Sequence, residues 1–121
     1  MKDERERPED LKVRTKMFAM RIIRLYSVLP KDTVAQVLGK QLLRSGTSVG
    51  AHYREAFRAK SRADFISKME GALQELDETQ YWLELLVEAS AIPGKRLQPL
   101  LDETNELISI FVTIVKRTKD H

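Results

Sequence analysis

The sequence predicts an all-α protein folded as an antiparallel up-down four-helix bundle. Apolar and small residues recur at alternating steps of three and four through four separate stretches, the period of a helix that buries one face. Breakers punctuate these stretches at Pro8, Pro30 and the Ile92-Pro93-Gly94 junction. No stretch alternates with the period of two that a half-buried strand requires.

Each element follows from its own spacing. In the first helix Leu11, Thr15, Phe18, Ile22, Leu25 and Leu29 form the buried face. Ala35, Leu38, Leu42, Ser45, Val49, His52 and Ala56 do so in the second, where Asp32 or Thr33 caps the start after Pro30. Ser61 and Asp64 make a capping-box-like opening to the third helix. Its face runs through Phe65, Met69, Ala72, Leu76, Thr79, Leu83, Leu86 and Ser90. The fourth carries Leu97, Leu101, Thr104, Ile108, Phe111 and Val115, with Pro99 suited to a first turn. Short connections make consecutive helices antiparallel. Residues 1–8 are expected to fray, leaving residues 9–121 as a single bundle domain.

Composition excludes several chemistries. The chain of 121 residues has no cysteine, hence no disulfide framework, thiolate metal site or thiol nucleophile. That fits a cytoplasmic location. No long apolar run and an all-charged start, MKDERERPED, predict neither a membrane span nor a secretory signal. Net charge is only +3, but it is unevenly placed. Lys12, Arg14, Lys16, Arg21 and Arg24 have no acid among them, and Arg54, Arg58, Lys60 and Arg62 crowd the end of the second helix. From residue 63 to 91 the sign reverses: Lys68 stands against seven acids.

The second helix also carries Gly39, Gly46 and Gly50. Each interior glycine costs about 1 kcal/mol relative to alanine, so something offsets them. Either a neighbouring helix packs closely on Gly46, Ser48, Gly50 and Ala51, or a ligand reaches the backbone there. Seam residues Leu42, Val49 and Ala56 flank the glycines, which favours packing. No phosphate-loop motif accompanies them. Antiparallel register places Arg44 near Glu75, Gln41 near Glu78 and Ala51 near Lys68, so Arg44 is expected to bridge to Glu75 or Glu78.

Residues 41–86 carry a further signal: RSGTSVGA from Arg44 to Ala51, REA from Arg54 to Ala56, and S-x-A-D-F from Ser61 to Phe65. Glu75 and E-T-x-Y-W-L, Glu78 to Leu83, follow. The segment resembles the bacterial four-helix bundle proteins related to those encoded in intervening sequences of large-subunit ribosomal RNA genes. More distantly, it resembles the accessory protein of diversity-generating retroelements. The family usually has Asn where this chain has His52. The resemblance implies a ring-like homo-oligomer, commonly a pentamer. For the accessory protein it also implies association with a reverse transcriptase and with RNA through a basic surface.

Other constellations favour plain structural readings. His52 fits a core or interface position. Glu75 and Glu78 lack the E-x-x-H partners of a di-iron bundle, so no metal or other cofactor is expected. Ser45 and Ser48 lack a base and an orienting group, and no enzymatic activity is expected. Arg54, Arg58, Lys60 and Arg62 read either as helix-end charges paired with the third helix or as phosphate contacts. No aromatic stacking platform is apparent beside them. Tyr81, Trp82, Met17, Met20, Ile66, Leu73 and Val87 lie off the seam, more apolar surface than one bundle needs, which suggests self-association. The expected molecule is a non-enzymatic homo-oligomeric scaffold that binds RNA or a nucleoprotein partner. A protein–protein adaptor and a metal-binding bundle are the alternatives.

Overall fold

Pro30 and the polar pair after it close one helix and open the next. The computed structural model describes residues 8–89 and 91–120. Its four helices are α1 (Pro8–Ser27), α2 (Thr33–Phe57), α3 (Arg62–Glu88) and α4 (Gly94–Lys119), and no strand occurs among the described residues. Of the segment expected to fray, residues 1–7 lie outside the described residues; Pro8 is the first residue of α1. The close backbone contacts join consecutive helices, α1 to α2, α2 to α3 and α3 to α4. Among the described residues, no helix is long and apolar enough to cross a membrane.

Local chemistry sets the helix boundaries. Asp32 Oδ1 accepts from the Ala35 N–H at 3.0 Å, and Ser61 Oγ accepts from the Asp64 N–H at 3.0 Å. Asp64 reaches back to the Lys60 N–H at 3.2 Å, one residue before the cap. The first connection is tied down by Gln36, which donates to the Pro30 carbonyl at 2.8 Å and accepts from the Tyr26 hydroxyl at 3.1 Å. Pro99 departs from expectation, since it lies inside α4 rather than in its first turn. Its ring deprives the Lys95 carbonyl of a donor. Both residues are exposed, so water can replace that donor.

The buried face of α1 is the predicted one: Leu11, Thr15, Phe18, Ile22 and Leu25 are all enclosed, as is Leu29 just past the end of the helix. On α4 the face is rotated. Leu100 and Leu107 are buried, whereas the expected Leu101 and Ile108 are only half-buried. Apolar residues occupy both members of each neighbouring pair, so periodicity alone does not choose between them. Ser90 lies outside the described residues.

Glycines set the distance between helices. A Cβ on Gly46 would stand 2.7 Å from Ile22 Cγ1, and one on Gly50 would stand 3.1 Å from Thr15 Oγ1. Gly39 faces Leu29 and Tyr26 in the same way. Spacings of seven and four put all three on the edge of α2 that meets α1. Ser48 is half-buried, and its hydroxyl donates within its own helix, to the Arg44 carbonyl at 2.6 Å. Ala51, grouped with the close-packing residues by sequence, is exposed. It follows Gly50 by one residue, about 100° around the helix, and so lies off the buried contact.

Candidate nucleic-acid interface

Antiparallel packing brings the start of α1 beside the end of α2. Lys12, Arg54, Phe57 and Arg58 there line an open groove of about 390 Å³. Phe57 is 42% exposed, although it is a large apolar ring. Tyr53 fixes it from one side by an edge-on contact with ring centroids 5.4 Å apart. Tyr53 in turn lies 5.6 Å from the buried Phe111 ring. Lys12 Nζ sits 4.3 Å from the Phe57 centroid, a cation–π geometry.

A second groove of about 290 Å³ adjoins the first through Arg54, and Thr15, Lys16, Ala19, Thr47, Gly50 and Ala51 complete its walls. Small residues on both helices leave this channel between α1 and α2. Lys12, Lys16, Arg54 and Arg58 thus gather on one surface from two helices. Of the four cations singled out near the end of α2, Arg54 and Arg58 line the grooves. Lys60 and Arg62 are exposed in and just after the α2–α3 connection, and neither lines either groove. Sequence reading missed the Phe57 platform, because the Lys12–Phe57 contact joins residues 45 positions apart.

Polar contacts between helices lie elsewhere. Arg44 Nη1 donates to Glu75 at 3.3 Å, and Nη2 to Glu78, as antiparallel register implies. Lys68 reaches Glu55 at 3.8 Å, one helical turn beyond Ala51, the residue expected opposite it. The half-buried His52 has Nε2 3.5 Å from Glu75 and Nδ1 3.8 Å from Glu55. Its ring packs on Gly71, where a Cβ would stand 3.0 Å from Nδ1. Ser45 Oγ lies 2.9 Å from Thr79 Oγ1 in the buried seam. Thr79 gives its own proton to the Glu75 carbonyl at 2.8 Å, so Ser45 is the donor of the pair.

The seam between α1 and α4 is bridged by Arg14. Its guanidinium donates to both Glu103 oxygens, at 2.8 and 2.7 Å, and lies 3.2 Å from Glu106. Hydrogen bonding to Glu103 and the two carboxylate charges raise the Arg14 pKa above its ordinary value, against an opposing push from burial. No sequence pattern pointed to this contact. Among the described residues, no group of three or more His, Asp or Glu side chains is placed to hold a metal ion.

Comparison with known proteins gives one family. A family model described as 23S rRNA-intervening sequence protein matches residues 9–113. A 1.70 Å crystal structure from Bacteroides thetaiotaomicron VPI-5482 is similar, and is described as a protein with unknown function from the S23 ribosomal protein family. It shares 41% identity and a TM-score of 0.84, covering 90% of this chain and 97% of that one. No curated protein matches.

Proposed function

The chain belongs to the 23S rRNA-intervening sequence protein family, and from that premise we propose that it is a non-enzymatic, ring-forming homo-oligomer that engages RNA through a repeated basic surface. The observation that carries this reading is the grouping of Lys12, Arg54 and Arg58 around the exposed Phe57 ring. Cations supply phosphate contacts, and an exposed ring held at its edge offers a face on which an unpaired base stacks. Lys12 covers the ring, and its flexible stem lets it move onto a phosphate when a base arrives.

Assembly adds strength. One patch of three cations binds weakly, whereas several on one ring engage a single RNA with an avidity none has alone. An exposed apolar stripe on α1, Val13, Met17 and Met20, supports self-association. A ring follows where such contacts are heterologous and close on themselves. The family resemblance supports a ring of five protomers. The same stripe supports a second reading, a protein–protein adaptor whose binding barely responds to salt.

Light scattering with and without single-stranded RNA, at about 50 and 200 mM salt, separates the two. Three phosphate contacts per protomer give a log–log salt slope of about −2, or a loss of about 20-fold over that range for each protomer engaged. The double variant R54E/R58E is expected to lose RNA binding while the oligomer persists. Unchanged affinity in a gel-shift titration of that variant eliminates the patch.

A further inference from the structure

At the opposite end of the bundle, α1 and α4 wall an open cleft of about 330 Å³. Arg21 and Arg24 reach it from the last turns of α1, and Arg96 from the first turn of α4. Lys12 and Arg24 are a dozen residues apart on α1, which puts this cleft ~18 Å along the axis from the Phe57 surface. Among the described residues, none of the three guanidinium groups has an acceptor. The contrast with Arg14, one heptad below Arg21, is instructive. Arg14 faces Glu103 and Glu106 on α4 and is fully engaged by them. At the level of Arg21, α4 presents Arg96, Leu97, Pro99 and Leu100 instead. The next acids on that face are already held by Arg14. Asp102, one turn beyond Pro99 on α4, accepts from Gln98 at 2.8 Å.

Three like charges around one cleft repel each other and raise a positive potential there, which the water reaching Arg24 and Arg96 partly screens. An anion reverses the sign of that energy. Guanidinium forks match the oxygens of a phosphate and donate to it in pairs. The floor is apolar: Leu25, Leu97 and Leu100 are buried beneath it, and Val28 and Pro99 form its exposed walls. A bare phosphate leaves most of this volume unfilled, while the volume lies in the range of small-molecule sites, about 300–1,000 Å³.

We infer that this α1/α4 cleft binds an organic phosphomonoester of about mononucleotide size. Arg21, Arg24 and Arg96 grip the phosphate, and the Val28 and Pro99 walls take the carrier. The site is independent of the RNA-binding reading and shares no residue with the Phe57 surface. Its ligand is a free nucleotide or the phosphorylated 5′ end of an RNA, since both present the same group.

Calorimetric titration of the full chain with AMP, adenosine, and a trinucleotide with and without a 5′-phosphate tests it. AMP is expected to bind and adenosine not. The R21Q/R96Q variant is expected to bind AMP at least about tenfold more weakly, the effect of losing charge-assisted hydrogen bonds. All of these side chains are partly or fully exposed, so the variants should fold. Tighter binding of the phosphorylated trinucleotide than of its hydroxyl form, measured in an R54E/R58E background, assigns the site to RNA ends. Binding of AMP alone assigns it to free nucleotides. AMP binding that survives R54E/R58E keeps this site distinct from the RNA patch. No AMP binding at millimolar concentration, or equal binding by R21Q/R96Q, overturns the inference.

Discussion

Replacing Gly46 with alanine tests the helix packing directly, because two known effects oppose each other there. In an exposed helix the change adds about 1 kcal/mol of stability through propensity. Here the new methyl would stand 2.7 Å from Ile22 Cγ1 and 3.0 Å from its Cγ2. Ile22 is fully buried, and its β-branched side chain has little rotameric freedom. Relief therefore requires α1 to move, an overpacking cost of ~1–3 kcal/mol. The net expectation for Gly46→Ala is a loss of about 1 kcal/mol, or a melting temperature lower by about 3–6 °C. Urea unfolding followed by far-UV circular dichroism, at one fixed protein concentration, measures it. A double-mutant cycle with Ile22→Ala identifies the cause. That change removes the atoms in the way, so the double variant should be less destabilised than the sum of the singles by about 1 kcal/mol or more. A Gly46→Ala variant more stable than the parent by its full helix propensity would refute the reasoning, for α1 would then not be resting on α2 at that point.

Three further substitutions separate interactions that look alike in sequence. Arg14→Gln leaves the mostly buried Glu103 without its two charge-assisted hydrogen bonds and is expected to cost about 2 kcal/mol in urea unfolding. Arg44→Ala removes a bridge whose arginine is 51% exposed, so its cost should stay below about 1 kcal/mol and shrink further when the melt is repeated in high salt. Thr79→Val takes the nearer acceptor from the buried Ser45 hydroxyl, leaving it the Leu42 carbonyl at 3.3 Å, and is expected to cost about 1 kcal/mol. The double variant S45A/T79V, with both hydroxyls gone, should recover most of that loss in the same assay.

Much of the α2–α3 hairpin was legible because antiparallel register is simple geometry. Once the connection near Lys60 is placed, Arg44 must face Glu75 and Glu78. The α4 face was not legible: adjacent leucines at 100 and 101 satisfy either helical phase, and contact with the neighbouring helices chose between them. The candidate RNA surface was half legible. Arg54 and Arg58 announced themselves as charges in sequence, but Lys12 and Phe57 joined them only through packing of α1 on α2. Arg14, Arg21 and Arg24 stood out in sequence as an acid-free basic run, but their counterparts on α4, Glu103 for Arg14 and Arg96 for the cleft, depend on how α4 lies against α1.

The sequence by itself determined four helices, their polarity and most of their buried faces. Periodicity, capping and breakers act within a few residues and need no partner to be read. Tertiary structure decided which cations are paired with carboxylates and which are gathered together on one surface. Charge on a chain is local, but its neighbours are set by how closely glycine lets two helices approach and by the rotation each adopts in the core.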